Sequence, residues 1–224
     1  DKDAIADKDK NGKTDKDKIA AADKNKDGVL SKAEKQQAAA EEQAAQLQAE
    51  LKKELGGKVG YLAEGLIVTP AEGGMLISIS DQVKTPMFRL GSSIPTRETV
   101  LAMEQIAKLL KTRKGQVAIR GHTDSRPYKN KAYDNWRLST DRAQSAYYML
   151  LRGGLDEKRI SQVSGFADHR LQNTKNPLDE SNRRIVLGVA IGFFPVLPTQ
   201  GDVLLIDSLN QLGRFLQGSL QNQK

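Results

Sequence analysis

The chain contains no cysteine, which excludes disulfide staples and thiolate metal sites but leaves the compartment open. It also lacks an apolar run long enough to cross a bilayer. Its most apolar stretch, 185–194, is interrupted by Gly188 and Gly192 and stopped by Pro195. No charged-then-apolar leader opens it, and its first residue is Asp1 rather than Met, as in a processed or truncated chain. Aromatic residues are 5% of the composition and are not interleaved with the basic side chains, so nucleic acid is not an expected partner. His122 and His169 suggest a metal pair only weakly, because His122 sits in a Gly-His-Thr-Asp block where a structural hydrogen bond is the simpler role. A hydrolase drawn from Ser139, His122 and Asp124 lacks a nucleophile elbow, so no enzyme is expected.

What is present is charge, unevenly placed. The net charge is +7, and residues 56–192 carry 21 basic and 13 acidic side chains while the flanks nearly balance. A basic middle segment attracts polyanions such as anionic lipid or a carboxylate-rich cell wall, or is simply a solvated surface. Residues 1–35 form a Lys/Asp-rich segment with too few apolar residues for a core. Strong helix formers follow from about Ser31 to Leu55, with Leu47, Leu51 and Leu55 four residues apart. This predicts one long helix, a helical linker over 36–57, whose narrow stripe suits a coiled-coil seam or a spacer.

From there the period changes. Residues 66–79 read as strand, turn at Glu72-Gly73-Gly74, and strand. Helical patterns start at Pro95 and after a polar loop over 122–134, and short strands are expected at 116–120, 160–166 and 184–191. Alternating strands and helices behind a hairpin predict an α/β (α+β) two-layer sandwich over 58–192, with a mixed sheet and its helices on one face. The tail over 193–224 carries Leu205, Leu209, Leu212, Leu216 and Leu220, an amphipathic helical stripe that needs cover.

Near the start, Asp23-Lys-Asn25-Lys-Asp27-Gly28-Val29-Leu30-Ser31-Lys-Ala-Glu34 fits a twelve-residue EF-hand calcium loop. Asp23, Asn25, Asp27, Ser31 and Glu34 supply side-chain oxygens, and Val29 supplies its carbonyl. The interleaved lysines would weaken Ca2+ affinity. An earlier partial copy over 7–18 ends in Lys18 where a bidentate acid belongs.

The most informative stretch is Arg120-Gly-His-Thr-Asp124 followed by Asn135-Trp-Arg-Leu138-Ser-Thr-Asp-Arg142-Ala. Asp124 follows a strand, where loops present binding groups. Arg142 lies near the start of the next helix, whose dipole favours an anion. An acid can meet an ammonium, an Arg can clamp a carboxylate through two parallel hydrogen bonds, and Asn135 can both donate to and accept from an amide. The set suits a zwitterionic, amide-bearing group. Alternatively, Asp124 and Arg142 pair with each other.

These blocks, with Gly154-Leu, Ser164-Gly-Phe-Ala and Asn182-Arg-Arg-Ile185 in order behind them, resemble the OmpA-like peptidoglycan-binding domain over about residues 66–191. Pro86-Met-Phe88 with Gly91-Ser92, the longer loop between Asp124 and Asn135, and the Asp134-Asn-Trp136 spelling resemble its MotB-type flagellar stator branch. The resemblance implies that Asp124 and Arg142 bind the diaminopimelate of the wall's stem peptide. It also implies that Thr123, Asn135, Leu138, Asn182 and Arg183 line or support the same pocket. It implies a non-catalytic periplasmic anchor that binds peptidoglycan. Homodimerisation is expected, as is tethering to the inner membrane and to a membrane-embedded stator partner through a transmembrane helix that this sequence does not include. An outer-membrane or secretion-system anchor with the same domain, or a calcium-responsive regulator, are the alternatives.

Overall fold

The computed structural model describes residues 31–56, 59–71, 73–82, 86–128 and 133–190. The calcium-loop residues Asp23, Asn25, Asp27 and Val29, and the tail over 193–224, lie outside them. The described elements are α1 (Lys32–Gly56), α2 (Gly60–Glu64), β1 (Leu66–Ala71), β2 (Gly74–Ser80), α3 (Arg97–Lys111), β3 (Gln116–His122), α4 (Asn135–Arg152), β4 (Ile160–Gly165) and β5 (Arg184–Ala190). Single 3-10 turns occupy Glu157–Arg159 and Glu180–Asn182.

The strands form one mixed sheet in the order β1-β2-β5-β3-β4. β3 and β4 are parallel and joined through α4, whereas the other neighbours are antiparallel. Alternate residues of the strands, among them Leu66, Val68, Ile77, Ile119 and Leu187, share one face and are buried in a common core with the helices. On that face α1 packs on β1, α4 packs on β3 and β4, and α3 touches both helices. This is the two-layer arrangement that the alternating pattern predicts.

Helix α1 is part of that core rather than a spacer or a seam for a partner helix. Ala44, Leu47, Leu51 and Leu55 are at most 2% exposed. The four-residue spacing makes one stripe, and the domain's own sheet covers it. Burying each leucine contributes about 1.5–3 kcal/mol. Two polar contacts fix the register: the side-chain carbonyl of Gln48 accepts from the Val68 amide at 2.7 Å, and Arg113 pairs with Glu50 at 2.6 Å. The helix starts with a reciprocal cap, in which the Ser31 amide donates to Glu34 Oε2 and the Glu34 amide donates to Ser31 Oγ.

Helix α4 starts where the Asp134 side chain accepts from the Arg137 amide at 2.8 Å. It lies unusually close to the sheet. A Cβ on Gly121 would fall 2.0 Å from the Ser139 carbonyl oxygen, and one on Gly165 would fall 2.4 Å from Ser139 Oγ. Two glycines on neighbouring parallel strands thus let the first turns of α4 settle over the strand ends. The Ser139 hydroxyl donates to the Trp136 carbonyl and accepts from the Ala167 amide, tying the helix start to the loop after β4.

Candidate functional site

A cleft of about 620 Å³ opens at this end of the sheet. Four segments converge on it: the end of β2 with Asp81, the turn over 86–92, the loop after β3 with the start of α4, and the 3-10 turn before β5. It is lined by Thr123, Asp124, Asn135, Leu138, Arg142 and Arg183, six of the seven residues that the sequence assigned to it. The remaining one, Asn182, is fully buried behind it. Its amide donates to the carbonyls of Asn173, Asn176 and Pro177 and accepts from the Asn173 amide, so it holds the 173–177 loop in shape.

Asp124 and Arg142 do not pair. The Asp124 carboxylate accepts from Arg183 Nη1 at 2.7 Å and meets Arg126 Nη1 at 3.1 Å. Arg142 donates through Nε to the Ser92 carbonyl at 3.0 Å, and its guanidinium lies 5.0 Å above the Phe88 ring. Its Nη nitrogens make no hydrogen bond among the described residues. Burial pulls the Arg142 guanidinium below its ordinary value, with the nearby Asp81 opposing that pull. With no Nη partner among the described residues, this guanidinium keeps the geometry to meet a carboxylate through two parallel hydrogen bonds.

Thr123 also lines the cleft; it is 1% exposed, and its hydroxyl has no hydrogen-bond partner among the described residues. Asn135 donates through Nδ2 to the carbonyls of Asp124 and Arg126, which locks the loop to the helix start. Leu138 adds a buried apolar side chain to the lining.

Two residues that the sequence did not single out complete the site. Asp81 is buried and accepts from Arg183 Nε at 2.6 Å and from the Met87 amide at 2.7 Å. Burial pushes its carboxyl up, against those two hydrogen bonds. Burial also works against the charge on Arg183, but hydrogen bonds to Asp81 and Asp124 more than offset it and hold that guanidinium above its ordinary value. Tyr128 reaches across the cleft mouth to donate to the Gly91 carbonyl. Gly91 has φ +64, a backbone region that favours glycine. The only local signal for Asp81 is a charge directly after an apolar strand. Tyr128 has none.

Among the described residues no group of three or more His, Cys, Asp or Glu side chains is arranged to hold a metal, and no helix is long and apolar enough to cross a membrane.

Residues 87–184 match the model of the OmpA family. Motility protein B of Escherichia coli K12 is 35% identical over 132 residues, which is 58% of this chain and 43% of that relative. The chain spans about half the length, or less, of the first curated relatives it matches. Among solved structures, the cell wall anchor of the type VI secretion system (T6SS) from Pseudomonas aeruginosa superposes with a TM-score of 0.50 at 26% identity, covering 63% of this chain and 97% of that one. The periplasmic domain of Helicobacter pylori MotB superposes with a TM-score of 0.50 at 17% identity, covering 66% of this chain and 92% of that one, and supports the fold alone.

Proposed function

Because this chain carries an OmpA-family domain, we propose that it is a non-catalytic periplasmic anchor for diaminopimelate-containing peptidoglycan, the wall-binding part of a MotB-like flagellar stator. The observation that carries the reading is that one cleft lining holds Arg142, whose Nη nitrogens have no partner among the described residues, together with Asp124 and with Thr123, whose hydroxyl likewise has none. The side-chain end of diaminopimelate carries a carboxylate and an ammonium on one carbon, and it is bound as such by one cation and one acceptor pair. The described residues that line the cleft include no Ser, Cys, His or Lys, which suits retention of a polymer rather than its cleavage. The similarity to motility protein B supports a stator role, with a homodimer tethered to the inner membrane and to a membrane-embedded partner by sequence outside this chain.

Charge-assisted hydrogen bonds contribute about 1.5–3 kcal/mol each, so a single site of this kind is weak. Firm anchoring then comes from several sites on one polymer, where avidity adds roughly 10²–10⁴. The test is retention of the chain by purified sacculi with diaminopimelate or with lysine as the third-position diamine, since lysine lacks the second carboxylate. Retention on the former only, lost in Asp124→Ala and in Arg142→Ala, is expected. Equal retention on both walls, or unchanged retention of both variants, overturns the assignment.

A second reading is a secretion-system anchor, favoured by the likeness to the T6SS cell wall anchor. Co-purification from membranes with stator or with secretion components separates the two.

A further inference from the structure

Asp124, the acceptor for a ligand ammonium, already holds two cations. Its Oδ2 accepts from Arg183 Nη1 at 2.7 Å and meets Arg126 Nη1 at 3.1 Å, so two guanidinium groups share one oxygen. They are held very differently. Arg183 has a side chain 14% exposed and is anchored a second time, through Nε to Asp81 at 2.6 Å. The Arg126 side chain is 47% exposed, and its Nη2 reaches the Leu178 carbonyl through a long hydrogen bond of 3.3 Å. The Arg126 backbone, by contrast, is fixed. Its amide donates to Asp124 Oδ1 at 3.3 Å, and its carbonyl accepts from Asn135 Nδ2 at 3.2 Å. Asp124 and Arg126 both line the cleft. A loosely held cation, on a long side chain with a stationary root, thus stands against the carboxylate.

We propose that Arg126 is a placeholder for the ligand's ammonium, a specificity-determining residue that occupies Asp124 until a charged amine displaces it. Arg183 cannot be the group that yields, because its departure would strip the buried Asp81 of its guanidinium as well. Arg126 can yield, because an ion pair half open to water contributes little and its released guanidinium is readily hydrated. A neutral amide gains less from Asp124 than an ammonium does, since charge-assisted hydrogen bonds are roughly twice as strong as neutral ones. The placeholder therefore sets a threshold. A ligand passes it by bringing a charged amine for Asp124 together with a carboxylate for Arg142.

The placeholder rests on the wall-binding reading, and its test keeps the two apart. Three stem tripeptides are titrated calorimetrically into the wild-type chain and into Arg126→Gln: one ending in meso-diaminopimelate, the same peptide with its side-chain amine acetylated, and one ending in lysine. Arg126→Gln is expected to bind the diaminopimelate peptide about two- to fivefold tighter than the wild type, with no such gain for the acetylated peptide. Binding by Arg126→Gln equal to or weaker than that of the wild type overturns the placeholder, and weaker binding makes Arg126 a ligand contact instead. An equal gain for the acetylated peptide overturns it too, because that reports a wider cleft rather than a freed carboxylate. Failure of the cleft reading shows differently, as equal affinity of the wild type for the diaminopimelate and lysine peptides. No heat from any peptide in either chain removes both.

Discussion

Asp81 and Asp124 share one cation: Arg183 donates Nε to Asp81 at 2.6 Å and Nη1 to Asp124 at 2.7 Å. The three side chains are at most 14% exposed. Removing the cation leaves Asp81 with the Met87 amide and Asp124 with the more exposed Arg126, and breaking a buried pair costs about 3–5 kcal/mol. Arg183→Ala is therefore expected to lower the denaturation midpoint sharply in urea. Arg183→Lys recovers only part of it, since one ammonium cannot serve both carboxylates with a fork of donors.

Tyr133 donates its hydroxyl to Asp141 at 2.7 Å. Burial first, and then that hydrogen bond to a carboxylate, push the phenol from 10.0 up to about 12. The folded state thus holds this proton more tightly than the unfolded chain does. The stabilisation is fully present below about pH 10 and is lost as pH rises through about 12. Thermal melting between these limits is expected to fall more steeply for the wild type than for Tyr133→Phe.

Gly121→Ala puts a methyl group where the Ser139 carbonyl oxygen would stand 2.0 Å away. Backbone, not a flexible side-chain tip, has to move. A cost of about 1–3 kcal/mol is expected, with weaker wall retention as well, since α4 carries Asn135, Leu138 and Arg142. Chemical denaturation and sacculus pull-down measure the two effects.

Leu51→Ala removes a side chain that is 1% exposed in the core between α1 and the sheet. A loss of about 2–5 kcal/mol in unfolding free energy is expected. Sedimentation should show no change in association state, because the stripe is covered within one chain.

The Ser31–Glu34 cap and the proposed calcium loop make different demands on one residue. A capping box accepts Gln at this place as well as Glu, whereas a calcium loop needs a bidentate carboxylate there. Glu34→Gln is expected to leave the melting temperature without calcium nearly unchanged and to abolish the heat of calcium binding at millimolar concentration. Equal heats for both chains, or no heat in either, would remove the loop from consideration.

Periodicity carried the architecture. Hairpin, helices and short strands fall where apolar spacing and Gly or Pro punctuation put them, because those signals are local. The cleft was legible to the extent that its parts lie on one loop-helix junction, from Thr123 to Arg142. Asp81 was not, since its partner Arg183 is distant in sequence and nothing local marks a carboxylate that will be buried against a guanidinium. Spacing alone allowed an Asp124–Arg142 pair. The fold prevents it by giving each residue another partner, Arg183 for the acid and the Ser92 carbonyl with the Phe88 ring for the base. The leucine stripe of α1 showed that a partner was needed but could not say that β1 is the partner.

Gln48 has a consequence beyond register. β1 is a border strand, and its outward amides would ordinarily invite a foreign strand to add on. The outward amide of Val68 is already taken by Gln48, and Pro70, next along the same side, has no N–H to offer. That border of the sheet is blunted against templated growth. A molecule proposed to crowd in many copies along one polymer would otherwise sit at a local concentration where fibril seeding is a hazard.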